Sequence, residues 1–277
     1  MNKSRYIIFT DLDGTLLDSK DYSAKAAKEA LEYIKDNYIP LIFVSSKTAP
    51  EMIRFRKLLG VEHPFICENG GGIFIPKGYF EGAPDQSNFD IISLGENYNF
   101  LVGILKEAKS KFNLNLKALS EMTDEEIIRI TNIGKEEVPL ARQRNFDEPF
   151  VINSENIKDD IIKLKEHFQK LGLNIIRGNR FYHLTGNSNK GKAIKKLLSE
   201  YEKNYDSGWI SLGFGDSPND IPMFEVVDIP IAVKKPPEPG HYDFKADEFP
   251  NLHFADGIGP IGWNKASLKI LKESKSK

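Results

Sequence analysis

Residues Arg5–Thr10 form a short apolar run rich in β-formers that ends abruptly in Asp11-Leu12-Asp13-Gly14-Thr15. Such a run suits a buried strand, and the acidic, glycine-containing turn fixes where the strand must stop. A helical pattern follows through Ala26, Ala27, Ala30, Leu31 and Ile34. The sequence of events then repeats. Residues 39–44 are a second apolar run closing on Ser45-Ser46-Lys47-Thr48, and Pro50 suits the first turn of a helix carrying Met52, Phe55, Leu58 and Leu59. Continuous apolar strands alternating with helices predict an α/β fold with a Rossmann-like, buried parallel sheet.

The next segment changes character. Pro64 to Cys67 and Ile73 to Pro76 are apolar runs separated by Glu68-Asn69-Gly70-Gly71-Gly72, and Asn-Gly between such runs is a hairpin signal. Gly, Pro and polar residues then accumulate over residues 77–88. Beyond them the pattern predicts a strand, a helix, a short helix near residues 124–130, a strand at 149–153, a helix over 157–171 and a hairpin through Arg177-Gly178-Asn179-Arg180. Helix, strand, helix and strand resume over residues 190–201, 209–214, 218–227 and 229–233. At 277 residues the chain is long enough for about two domains. The expected organisation is a core of residues 1–82 and 187–277 interrupted by an α+β insert of residues 83–186.

Charge narrows the partners. Lys plus Arg is 38 and Asp plus Glu is 40, a net charge of −2, so no global field draws the chain to nucleic acid or to an anionic membrane. The single cysteine, Cys67, excludes an intramolecular disulfide, and no Cys/His cluster supports a zinc site. It reads as a small buried hydrophobe, and Trp209 and Trp263 as core or edge packing. No run has a membrane-spanning length and no secretory h-region precedes Asp11, so the expected setting is the cytoplasm. Oligomeric state is left open.

Asp11 and Asp13 stand at a strand end, where open α/β sheets bind ligands, and their spacing puts both on one side. One carboxylate can attack phosphorus while the second protonates the departing oxygen and later activates water. Asp11 is the candidate nucleophile and Asp13 the candidate acid/base. Gly215-Asp216-Ser217-Pro218-Asn219-Asp220 follows another apolar strand, and its carboxylates suit a hard cation such as Mg²⁺. A plain reading competes with each string: Asp13-Gly14 as a turn, Ser217-Pro218 with Asp220 as a helix cap. Four carboxylates and a phosphate in one cleft would repel by about 4 kcal/mol per pair at ~4 Å and an effective dielectric of 20. A cation and a lysine must balance them; Lys190 offers the point charge and Ser45 a hydroxyl.

Taken together, DLDGT, Ser45, Lys190 and GDSPND resemble the four ordered motifs of the haloacid dehalogenase-like phosphatases. That resemblance implies Mg²⁺ held by Asp11, the Asp13 main-chain carbonyl and Asp216, with Asp220 nearby, and an insert acting as a large cap of the C2 type. Within that superfamily VSSKT (44–48), ENGGGIFIP (68–76), RNFDEPF (144–150), RFYH (180–183) and GWN (262–264) are similar to the mannosyl-3-phosphoglycerate phosphatase family. Ser45 stands where threonine is common, and Asn179 replaces a glycine before Arg180. The resemblance implies hydrolysis of a mannosyl- or glucosyl-3-phosphoglycerate through an aspartyl-phosphate. For the carboxylate and phosphate of such a substrate, Lys47, Arg144 and Arg180 offer donors, with Ser217 beside them; Asn69 and His183 suit sugar hydroxyls, and Gly70 offers a backbone amide.

Other readings are another sugar-phosphate phosphatase of the same superfamily, a non-catalytic carbohydrate-binding module, and a nucleotide-binding kinase. The last rests on residues 186–193, which nearly satisfy the P-loop pattern but place Ala193 where a cation-binding hydroxyl belongs. Lys190 is decisive in the phosphatase reading and Lys192 in the P-loop reading.

Overall fold

The computed structural model describes residues 5–205, 208–237, 244–245 and 249–273. In chain order the strands are β1 (Arg5–Thr10), β2 (Leu41–Val44), β3 (Phe65–Cys67), β4 (Gly72–Lys77), β5 (Asp85–Ser93), β6 (Leu116–Ala118), β7 (Asp147–Ile152), β8 (Asn174–Arg177), β9 (Tyr182–Thr185), β10 (Trp209–Gly215), β11 (Ile229–Lys234) and β12 (His253–Ile258). They assemble as an eight-stranded sheet, β12-β11-β10-β1-β2-β3-β4-β5, and a four-stranded sheet, β6-β7-β9-β8. The helices are α1 (Lys28–Asp36), α2 (Ala49–Leu59), α3 (Tyr98–Lys111), α4 (Asp124–Thr131), α5 (Val138–Ala141), α6 (Ile157–Gln169), α7 (Lys190–Asn204), α8 (Ile221–Phe224) and α9 (Gly259–Glu273).

The apolar run of β1 is explained by two-sided burial. Ile8 packs with Phe43, Phe65, Leu212 and Phe214 toward α1, α2 and α9, whereas Ile7 and Phe9 pack with Ile42, Val44 and Ile66 toward α7 and α8. Burying each such side chain contributes about 2 kcal/mol relative to exposure. From β12 through β3 the pairings are parallel, so the carboxyl ends of successive strands open on one edge where ligands bind. Trp263 of α9 is fully buried, and its indole N–H donates to Thr10 Oγ1 at 3.0 Å, seating that helix beneath the end of β1. Cys67 is buried in the same core.

One expected boundary is corrected. β5, placed by the sequence pattern in an insert starting at residue 83, pairs antiparallel with β4, with Gly72 opposite Ser93 and Ile73 opposite Ile92. The Gly- and Pro-rich stretch read as a domain junction is in part a hairpin turn: Gly78 has φ +72° and its carbonyl accepts from Ala83 N–H at 3.0 Å. The smaller sheet therefore begins after the β4–β5 hairpin. The helix expected over 218–227 is also shorter, a 3₁₀ turn at Pro218–Asp220 followed by α8.

The smaller sheet is antiparallel throughout. One apolar cluster, including Leu101, Leu105, Phe150, Leu164 and Phe168, joins it to α3 and α6. A second, including Leu119, Ile127, Ile133, Val138 and Phe181, forms with α4 and α5. No helix among the described residues is long and apolar enough to cross a membrane.

Candidate active site

The register of the larger sheet brings the acidic strings together. Thr10 stands opposite Phe214, and Asp11 N–H donates to the Phe214 carbonyl at 2.8 Å, so Asp11 and Asp216 leave adjacent strand ends. Gly14 is needed at φ +82°: a Cβ there would lie 2.8 Å from Asp216 Oδ2. Ligand atoms of Asp11, Asp216 and Asp220 all fall within 4.8 Å of one another.

Lys190, the first residue of α7, supplies the balancing charge. Its ammonium donates to Asp11 Oδ1 at 2.7 Å and Asp220 Oδ1 at 2.6 Å, and it is buried. Burial alone would pull the lysine down, but Asp11 and Asp220 outweigh it and hold the ammonium well above the ordinary range. Burial pushes the Asp11 carboxyl up; Lys190 opposes this while Asp220 and Asp216 reinforce it. Asp220 has both oxygens engaged, because Oδ2 also accepts the Asp216 and Ser217 N–H groups at 2.9 Å each. Asp216 accepts from the Thr15 hydroxyl at 3.1 Å, and burial raises it too, against Lys235 at 3.4 Å. Three buried carboxylates sharing so few cations are a donor set suited to a hard divalent cation.

Asp13 sits at the mouth of this cluster. Lys47 Nζ lies 3.1 Å and Arg180 Nη1 3.7 Å from its Oδ2, while its buried Oδ1 has no hydrogen-bond partner. Lys47 also faces Glu51 at 3.7 Å and the Tyr22 ring. Above the cluster a cleft of about 730 Å³, its open mouth included, runs between the two sheets. Asp11, Asp13, Lys47, Arg180, His183 and Ser217 line it together with the apolar Leu119, Ile127 and Phe181.

Not every residue singled out in the sequence reaches that cleft. Ser45 is buried at the end of β2, where its hydroxyl accepts Lys47 N–H at 3.3 Å. Asn69 lies below the cleft wall with its amide spent on Asp147 Oδ2, at 2.9 Å, and on Asn219, at 3.1 Å. Gly70 is a packing position: at φ +94° a Cβ would meet the Asn189 carbonyl oxygen at 2.2 Å. Arg144 borders the cleft but its guanidinium is tied to the Asp147 carboxylate and to the Ser46 carbonyl at 2.8 Å. Lys192 is held by Asn187, at 2.6 Å from its carbonyl, while Lys190 enters the carboxylate cluster.

Asp147 is the main residue missed in the sequence. Fully buried on β7, it accepts from Arg144, from Asn69 and from His183 Nδ1 at 3.0 Å. Burial would raise it, but Arg144 and His183 prevail and hold it below the ordinary carboxylate value. Asp147 lies in the RNFDEPF string beside Glu148, and nothing in that string distinguishes the acid that gathers Arg144, Asn69 and His183 from its neighbour. Glu68 is comparable: its carboxylate accepts the N–H groups of Asn145, Phe146 and Asp147 at 2.7 to 3.1 Å. Lys235 was findable, since it follows β11 at the same sheet edge as the acidic strings.

A family model described as haloacid dehalogenase-like hydrolase matches residues 8–238. The glucosyl-3-phosphoglycerate/mannosyl-3-phosphoglycerate phosphatase of Persephonella marina is 42% identical over 273 residues, 96% of this chain and 97% of the relative. The mannosyl-3-phosphoglycerate phosphatase of Pyrococcus horikoshii is 40% identical over 80% of this chain and 88% of its own. Among solved structures, the sucrose-phosphatase of Synechocystis superposes with a TM-score of 0.64 at 18% identity, covering 98% of each chain; at that identity the likeness is one of fold.

Proposed function

The chain belongs to the haloacid dehalogenase-like hydrolases, and from that premise we propose that it is a phosphatase releasing phosphate from a mannosyl- or glucosyl-3-phosphoglycerate, with Mg²⁺ as its cofactor. The observation that carries the reading is the pairing of Asp11 and Asp13 at one strand end, with Lys190 bridging Asp11 to Asp220. Relatives with that substrate in their names span nearly the whole chain.

Asp11 attacks phosphorus through the oxygen not bonded to Lys190, and the bond from phosphorus to the glycerate oxygen breaks as that oxygen takes a proton from Asp13. The Asp13 carboxylate then removes a proton from water; the resulting hydroxide displaces Asp11 and phosphate leaves. Lys190 orients Asp11 and favours its ionised form, while Ser45, buried beneath the cleft, holds the Lys47 backbone through its hydroxyl. A divalent cation held by Asp11, Asp216 and the Asp13 carbonyl, with Asp220 positioning Lys190 beside them, would offset the charge of the phosphoryl group. The region around residues 94–186 acts as the cap, with Lys47 and Arg180 serving the glycerate carboxylate, His183 a sugar hydroxyl, and Phe181 the apolar face of the ring.

Phosphate release from the two glycosyl phosphoglycerates, compared with free sugar phosphates, tests the reading. Both glycosyl esters should be preferred by at least tenfold in kcat/KM, EDTA should abolish turnover and Mg²⁺ restore it, and Asp11→Asn should be inactive. Equal turnover of free sugar phosphates would refute the substrate, and an active Asp11→Asn the chemistry.

A further inference from the structure

The β8–β9 hairpin reaches from the smaller sheet to the carboxylate cluster, and Asn179 at its tip touches three groups of the larger sheet's edge. Its amide Nδ2 donates to Asp216 Oδ2 at 3.1 Å, and its Oδ1 accepts from the Ser217 hydroxyl at 2.7 Å and the Lys235 ammonium at 2.5 Å. Lys235 in turn donates to Ser217 Oγ at 3.1 Å. Asp216 and Ser217 follow β10 and Lys235 follows β11, so one side chain binds the cap to two strand ends. An amide suits this place because it presents a donor to the carboxylate and an acceptor to the ammonium without adding charge. An aspartate would lose the donor and a lysine the acceptor; the glycine expected from the family resemblance would supply neither.

The consequence reaches the next residue. Arg180 stands 3.7 Å from Asp13 Oδ2 and donates to the Ser19 carbonyl at 3.0 Å. Arg180 directly follows Asn179 in the turn between β8 and β9. We propose that Asn179 is a positioning residue that latches the cap hairpin onto Asp216, so that Arg180 stands over Asp13 before substrate arrives. Pre-ordering of this kind lowers the entropy cost of binding, so it acts on KM more than on kcat. The latch itself is a property of the substrate-free chain; only its kinetic consequence rests on the phosphatase reading.

Hydrogen exchange of amides 178–181 in EDTA-treated, substrate-free protein measures the latch directly. Asn179→Ala should speed exchange at least tenfold. Asn179→Asp keeps acceptors for Ser217 and Lys235 but sets a second negative charge against Asp216, and should do the same. Wild-type exchange in Asn179→Ala overturns the latch, and wild-type exchange in Asn179→Asp overturns Asp216 as its anchor. With mannosyl-3-phosphoglycerate and Mg²⁺, Asn179→Ala should raise KM about tenfold with kcat within twofold. An equal loss of kcat/KM on p-nitrophenyl phosphate, too small to engage the hairpin, would overturn the positioning role. Wild-type protein inactive on the glycosyl ester would defeat the substrate assignment while leaving the exchange result standing.

Discussion

The floor and the roof of the cleft solve opposite electrostatic problems. On the floor, Asp11, Asp216 and Asp220 are crowded together, Lys190 bridging Asp11 and Asp220, and burial pushes Asp11 and Asp216 up. On the roof, one buried carboxylate, Asp147, is shared by Arg144, His183 and Asn69 and is held down. The floor keeps strained charge where a phosphoryl group would react; the roof neutralises charge to hold donors still. A site that must bind a cation and a dianion costs the apoprotein stability, while a scaffold that only orients side chains adds to it.

Breaking the floor should have the largest effect. Lys190→Met leaves Asp11 and Asp220 buried without their cation; turnover should fall on the order of a thousandfold or more, and stability by about 4 kcal/mol, measured by phosphate release and urea unfolding. If Lys190→Met unfolds at the wild-type urea midpoint, the ion pairs do not hold the floor together.

Breaking the roof should cost less in rate and nearly as much in stability. Asp147→Asn leaves Arg144 buried without its full counter-charge and should lower stability by about 3 kcal/mol while raising KM more than it lowers kcat. Asp147 binds its proton less tightly folded than unfolded, so its stabilisation is complete above the unfolded value of 3.8 and is lost as pH falls through the lower folded value. Urea midpoints between pH 3 and pH 6 should therefore converge for wild type and variant toward the acid end; a constant gap would count against the ion pair as the source.

Asp11→Asn sharpens the contrast with the smallest stability effect and the opposite sign. Removing one of three crowded carboxylates should stabilise the metal-free protein by about 1 kcal/mol at pH 7. Asp11 binds its proton more tightly folded than unfolded, so wild-type stability falls as pH rises from 3.8 through the higher folded value. The variant's advantage should appear across that rise and vanish in acid. Should Asp11→Asn be less stable than wild type at neutral pH without metal, Lys190 more than offsets the crowding.

Much of the floor was legible because its signals are local. A buried strand must be apolar, it must stop where charge begins, and parallel strands put those stops on one edge; DLDGT, Ser45 and GDSPND mark three of them. Lys190 was legible through its place at the start of a helix. The roof was read less well. Arg180 and His183 border the cleft, and so does Arg144, but with its guanidinium engaged by Asp147; Asn69 and Gly70, which follow β3 of the larger sheet, are taken up by the Asp147 network and by packing. The β5 strand was assigned to the wrong unit because a Gly/Pro-rich hairpin turn and a domain junction have the same composition.

What the amino-acid order determined alone was the α/β alternation, the strand ends that carry carboxylates, and the presence of an insert, because backbone preference and burial periodicity act over a few residues. Tertiary structure decided which charges meet: Lys47 with Asp13, Asn179 with Asp216, and Asp147 with the groups above it. Those pairings join residues distant in sequence, and distances of about 3 Å between them arise only when strands are laid side by side, as β1 and β2 are for Asp13 and Lys47, or when the smaller sheet packs over the larger, as for Asn179 and Asp216.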